Sequence, residues 1–195
     1  MLQVFLSSVQ TEVKSRIKDI IGESNLIEKS MAYTSMLPSK MVRAGLVIAS
    51  GEANANIDKS SLVNMACAIE MMHSYSLIHD DLPCMDDDHE RRGKPSAHIQ
   101  FNEWKALLGG DGLLNMSYGL LSHIKHKNSS LINRLFSWGL GPKGLIQGQV
   151  FDLSGNMTNS FENIVLTHKL KTSRLIQVSL TSGYLCSSST INRKK

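Results

Sequence analysis

Proline, cysteine and aromatic residues are all scarce in this 195-residue chain: 4 Pro, 3 Cys, and 6% Phe, Trp and Tyr together. Few prolines leave helices uninterrupted, and few aromatics remove much of the strand-favouring composition. Cys67, Cys84 and Cys186 are odd in number and lack C-x-x-C spacing. That excludes a disulfide scaffold and fits a reducing compartment, the cytoplasm. No apolar run approaches the roughly 18 residues of a membrane span, the strongest being the short AGLVIAS segment from Ala44. The apolar start Met1 to Leu6 meets Glu12, Lys14, Arg16, Lys18 and Asp19 at once, so no export signal is expected.

What is present suffices to fold. Hydrophobic residues make up 42% of a chain whose length suits one core, so residues 1–195 are expected to form a single domain. The net charge of +4 is modest and spread along the chain, which favours anionic partners without pointing to nucleic acid.

Val4, Val13, Ile17, Ile20, Ile21 and Leu26 recur among charged neighbours and predict an N-terminal amphipathic helix. A second apolar stretch runs from Val42 to Ala49 and is expected to stop at Ser50 and Gly51, with a loop to Asn56. From Ser60 to about Asp80, residues Leu62, Ala66, Ile69, His73, Leu77 and Asp80 fall on one helical stripe. Helices are also expected from Phe101 to Leu121, where Gly109, Gly110 and Gly112 permit close packing or a bend, and from Ile164 to Leu185. The chain then closes on Ser187 to Ser189 and the basic tail Asn192 to Lys195.

Between the third and fourth of these helices, HDDLPCMDDDHERRGK from His79 to Lys94 abandons apolar periodicity. A solvated charged loop is the ordinary reading of such a run. Here, however, the acids follow the C-terminus of an apolar helix, where the macrodipole disfavours negative charge, and a basic block follows them. Clustered carboxylates call for a cation. Mg2+ takes one or two carboxylates and completes its shell with water and phosphate oxygens, while Arg91 and Arg92 suit the remaining phosphate oxygens. Asp80 and Asp86 are six residues apart, so the segment Leu82 to Met85, with Pro83, is expected to bulge and bring Asp86 back into line. His73, two turns before Asp80, is either a satisfied core histidine or a ligand. Lys40 and Arg43 are either surface bases or a second anion contact. Lys171 and Thr172 form a further candidate contact, and Gln149 is a polar residue in the apolar GLIQGQVFDL.

These segments, in order, are SKMVR from Ser39, EMMHSYSLIHDDLPCMDDDHERRGKPSAH from Glu70, LLGGDGLL from Leu107, GQVFDL from Gly148 and HKLKTSRLI from His168. The chain resembles the trans-isoprenyl diphosphate synthases, the polyprenyl synthetase family, and most closely their bacterial farnesyl and geranylgeranyl diphosphate synthases. The resemblance implies an all-α helical bundle around a central cavity and a homodimer. It further implies Mg2+ as cofactor and condensation of an allylic diphosphate with isopentenyl diphosphate. By the same resemblance, Asp80 and Asp86 hold Mg2+ against the allylic diphosphate, with Asp81 supporting them. Arg91 contacts that diphosphate, while Arg92, Lys40, Arg43 and His73 bind isopentenyl diphosphate. Lys171 and Thr172 touch the allylic diphosphate, Gln149 faces the developing cation, and Tyr75 is the floor that limits the product to C15.

The likeness has departures. The family's second aspartate-rich motif has no counterpart, for only Asp111 and Asp152 follow Asp88. Met41 stands where arginine is usual, Ala44 where proline is, and Ser173 where glycine is; the segment from His126 to Leu140 is short. The match fades near Cys186, so the chain is expected to hold the N-terminal two thirds of the fold, as a fragment or a truncation. A diphosphate-binding remnant or partner subunit without turnover is the alternative function. His79-Asp80 also spells the dipeptide of HD-type metal phosphohydrolases, a reading that leaves RRGKP and the Lys171-Thr172 segment unexplained.

Overall fold

Apolar residues at four-residue steps fold Leu2–Ile21 into a first helix, α1, buried along Val9, Val13, Ile17 and Ile21. Val4 and Leu26, expected on that stripe, are exposed. The helix stops at Gly22, whose φ of 72° continues no right-handed helix. Asn25 then opens α2 (Leu26–Met36) with a capping box, accepting from the Ile27 and Glu28 amides while Glu28 reaches back to the Asn25 amide.

The structure, a computed structural model, describes residues 1–53 and 58–187. After α2 come α3 (Val42–Glu52) and α4 (Lys59–Asp80), then a hairpin of β1 (Glu90–Arg91) and β2 (Lys94–Pro95) paired Glu90 to Pro95 and Arg91 to Lys94. Next are α5 (Ala97–Phe101), α6 (Glu103–Leu121), α7 (Ser129–Leu140) and α8 (Leu145–Leu153). A 3-10 turn at Asn156–Asn159 leads to α9 (Phe161–His168), a π-helical turn at Lys169–Ser173 and α10 (Arg174–Ser187). The fold is all-α, the hairpin being the only strand pair among the described residues. Among these residues no helix is long and apolar enough to cross a membrane. The end of the expected loop to Asn56, the serines after Ser187 and the basic tail lie outside the described residues.

The chain forms two compact units. The first comprises Met1–Val42 and Cys67–Leu120. Its core gathers the α1 stripe, Met31 of α2, Ile69, Met71, Met72 and Ile78 of α4, and Leu113 of α6. Lys14 Nζ donates to the Met36 and Leu37 carbonyls, both at 3.0 Å, and fastens α1 to the end of α2. Of the two roles open to the α6 glycines, close packing is the one realised. A Cβ at Gly109 would press on Ser30, at Gly110 on the His79 ring, and at Gly112 on Met31.

The second unit comprises Arg43–Ala66 and Leu121–Lys195, with Val47, Leu62, Ile132, Phe136, Leu175 and Val178 in its core. Gly183 lets α10 approach the Val47 carbonyl of α3, and Asn128 Nδ2 donates to the Leu185 carbonyl at 3.0 Å. Gly51, expected as a helix-ending residue, lies inside α3 instead. A Cβ there would collide with the Leu62 side chain, so close approach rather than backbone conformation accounts for it.

Candidate active site

α4 is apolar on nearly every side between Leu62 and Met72, the pattern of a helix at the centre of a core. Its C-terminus therefore delivers Asp80 and Asp81 from a rigid base. Beyond it, the Leu82 amide bonds to the His79 carbonyl, and the Met85 and Asp87 amides bond to the Leu82 carbonyl. The Asp86 amide then donates to the Asp80 carbonyl at 2.9 Å. The segment Leu82 to Met85 thus bulges out and returns Asp86 beside Asp80, as their spacing requires.

Carboxylates at a helix C-terminus oppose the macrodipole, and Asp81 is buried as well. Arg91 answers it: Nε donates to Oδ1 at 3.0 Å and to Oδ2 at 3.2 Å, Nη2 donates to Oδ1, and Nη2 also reaches Asp88 at 3.3 Å. Burial pushes the Asp81 carboxyl up while Arg91 draws it back down. The same bonds hold the Arg91 guanidinium above its usual range. Arg91, a sequence candidate for substrate contact, is in this structure the partner of Asp81.

The hairpin gives Arg91 its position. Arg92 and Gly93 both have positive φ, 56° and 75°, as a two-residue hairpin turn demands. The Ser96 amide closes it on the His89 carbonyl at 3.0 Å, and Tyr33 Oη donates to the Pro95 carbonyl at 2.7 Å. Arg92 is left exposed at the tip.

One helical turn before His79, Tyr75 packs edge-to-face on the His79 ring, centroids 4.8 Å apart. Burial raises the Tyr75 phenol above its ordinary value, with Asp111 and Tyr118 adding to the shift. His79 Nε2 lies 3.0 Å from the Leu107 carbonyl and 3.8 Å from Asp111. His73 is half-buried, Lys40 exposed, and Asp80 and Asp86 half-buried and exposed respectively. Sequence reasoning passed over Lys14. Burial first, then repulsion from Arg92, lowers its ammonium from the usual range, with Glu70 pulling the other way. It donates to backbone carbonyls, which leave no mark in a motif.

In the second unit Arg43 is half-buried on α3. Lys171 and Thr172 fall within the π-helical turn, a distortion that recurs at functional sites. Gly148 lets α8 lie directly against that turn, for a Cβ there would overlap the backbone of Leu170 and Lys171. Lys171 Nζ then meets Asp152 Oδ2 at 2.5 Å. Gln149, next to Gly148, is half-buried and Thr172 exposed. Asp152, isolated in sequence, is thereby the counter-ion of a candidate site residue.

The family model described as Polyprenyl synthetase matches residues 24–195. The chain belongs to that family. Among polyprenyl synthetases of known role, it is 36% identical over 190 residues to the farnesyl diphosphate synthase of Haemophilus influenzae, covering 93% of this chain and 64% of that one. It is also 36% identical over 173 residues to the chloroplastic geranylgeranyl pyrophosphate synthase of Capsicum annuum, covering 84% and 46%. An FPP/GFPP synthase from Zymomonas mobilis superposes with a TM-score of 0.87 at 27% identity, over 95% of this chain and 70% of that one. The chain spans less than two thirds of the length of the curated relatives it matches, 64%, 55% and 61% for three farnesyl diphosphate synthases.

Proposed function

We propose that this polyprenyl synthetase chain condenses dimethylallyl or geranyl diphosphate with isopentenyl diphosphate to give farnesyl diphosphate, as a cytoplasmic homodimer. The observation that carries the reading is the return of Asp86 onto the Asp80 carbonyl, which puts two hard oxygen donors at the end of one rigid helix. Oxygen donors of that kind fit Mg2+ and not a softer ion. Asp80 and Asp86 would hold it, with Asp81 and its Arg91 partner bracing the loop. Bound there, Mg2+ neutralises diphosphate charge.

The chain's own groups do the rest. Arg91 through its outer edge, Lys171 and Thr172 bind the allylic diphosphate, whose carbon–oxygen bond breaks with the electron pair leaving on diphosphate. Cationic side chains stabilise the departing diphosphate, while Gln149 faces the allylic cation, which the exclusion of water protects from quenching. Lys40, Arg43, His73 and Arg92 hold isopentenyl diphosphate, whose double bond supplies the electrons of the new carbon–carbon bond. A proton is then lost to the released diphosphate. Tyr75 sets the length at C15, and its contact with His79 gives that ring one fixed position. Relatives that make farnesyl and geranylgeranyl products both stand near this chain, so the product is decided by experiment.

Incubation of the purified chain with Mg2+, geranyl diphosphate and isopentenyl diphosphate, read by mass spectrometry, is expected to give a C15 product that Asp80→Ala abolishes. A second reading, a diphosphate-binding partner without turnover, is favoured by the exposure of Ile146, Val150, Leu153, Phe161 and Val165 on α8 and α9. No product from a folded sample that still binds diphosphate would establish it instead.

A further inference from the structure

Three side chains that the proposed prenyl transfer does not use converge behind the hairpin: Asp87, His89 and His98. One donor atom from each lies within 4.8 Å of the others. His89 Nε2 is 3.7 Å from Asp87 Oδ1, and His98 Nε2 is 3.9 Å from the same oxygen. The two rings stand edge-to-face with centroids 6.0 Å apart. These separations exceed hydrogen-bond range, so the cluster is not held by its own hydrogen bonds.

His98 is the telling member. Its side chain is 4% exposed, and its Nε2 has no hydrogen-bond partner among the described residues. A buried polar atom aimed at a carboxylate and left unsatisfied needs a reason. Its other nitrogen, Nδ1, lies 3.2 Å from Ser96 Oγ. When Nδ1–H donates to that hydroxyl, the Nε2 lone pair points toward Asp87 and His89, the outer-shell arrangement of a metal-binding histidine. The backbone is shaped to the same end. Asp87 holds a left-handed φ of 52°, rare outside glycine, and the Ser96 amide on the His89 carbonyl draws the two histidine-bearing legs together.

We propose that Asp87, His89 and His98 form a site for a borderline divalent ion of the Zn2+ type, distinct from the Asp80 and Asp86 pair. Two imidazoles and one carboxylate suit Zn2+ or Co2+, whereas Mg2+ takes oxygen donors. Bonds of about 2.0–2.1 Å in a tetrahedral shell need donors about 3.4 Å apart. The exposed Asp87 and His89 side chains close the remaining distance by rotation, while buried His98 stays fixed. The open fourth position takes water. The inference does not rest on the prenyl-transfer reading, since none of its ligands has a part there.

Titration of the chelator-stripped chain with Co2+, read by visible absorption and by histidine 15N shifts, tests it. The expected result is one tetrahedral Co2+ displaced by Zn2+, with the His98 Nε2 resonance moved. His89→Ala, at an exposed position that leaves the fold intact, is expected to weaken binding more than Ser96→Ala, for which about 10-fold is expected. Asp80→Ala is expected to leave the Co2+ spectrum unchanged. No tetrahedral spectrum in the folded parent chain, unaltered affinity in His89→Ala, or loss in Asp80→Ala alone would each overturn the proposal.

Discussion

The aspartate loop of the first unit and the lysine turn of the second both present charge, but they are built differently. The loop is held by side chains: Asp81 is buried against Arg91, and the hairpin exists to bring that guanidinium in. The lysine turn is held by main chain: Gly148 admits the backbone of Lys171, and the Asp152 pair closes on a position already set. The contrast teaches which kind of substitution each tolerates. Changes of charge should break the first, and changes of shape the second.

The largest effect expected is from Asp81→Ala, which leaves Arg91 with only the partly exposed Asp88 and should cost about 3 kcal/mol in urea unfolding. A loss under about 1 kcal/mol, the range of surface pairs, would show that the hairpin stands without the ion pair. Next comes Gly148→Ala, where the added methyl meets backbone and should cost about 1–3 kcal/mol. Asp152→Asn should cost less; the reverse order would make the second site charge-held like the first.

Thiol reactivity sharpens the comparison further. Burial pushes Cys67 in the first unit and Cys186 in the second up to about 12, whereas Cys84 is exposed. Iodoacetamide should label Cys84 alone in the native chain. As urea rises, Cys186 should react before Cys67, because the second unit leaves more of α8 and α9 uncovered; simultaneous labelling would mean that the two units open together.

The smallest effect concerns pH. Burial, then Lys127, holds the His126 imidazole below its ordinary value, and Nδ1 accepts the Asn128 amide at 3.2 Å. The unfolded chain therefore takes up a proton that the folded chain refuses, so this contribution is full well above about pH 6.5 and is lost as pH falls from there through the lower folded value. Thermal melts at pH 8 and 5.5 should differ by a small amount that His126→Gln removes.

Much of the aspartate loop is legible in sequence because charge density at the end of an apolar stripe is conspicuous, and a six-residue spacing demands a bulge. α2 escaped notice because Ser30, Thr34 and Ser35 occupy buried positions, so hydroxyls disguise its inward face. Leu26, read as part of the first stripe, opens α2 instead, because the positive φ of Gly22 ends α1. Gly51 misled because glycine serves both sharp turns and tight contacts, and composition does not say which. Asp152 and Lys14 take partners distant in sequence, Lys171 and the carbonyls of Met36 and Leu37, which no local pattern records.

The π-helical turn has one more consequence. A helix advances about 100° per residue, and the wide turn holds one residue more than an α-helical turn would. Deleting one residue between Lys169 and Ser173 would let the wide turn close as an ordinary α-helical turn and run α9 straight into α10, with everything beyond nearly in its present phase. Gly183 would still meet Val47, and Asn128 would keep the Leu185 carbonyl. What the deletion would remove is the local widening that carries Lys171 and Thr172, so losing one residue there should harm the candidate site more than the fold.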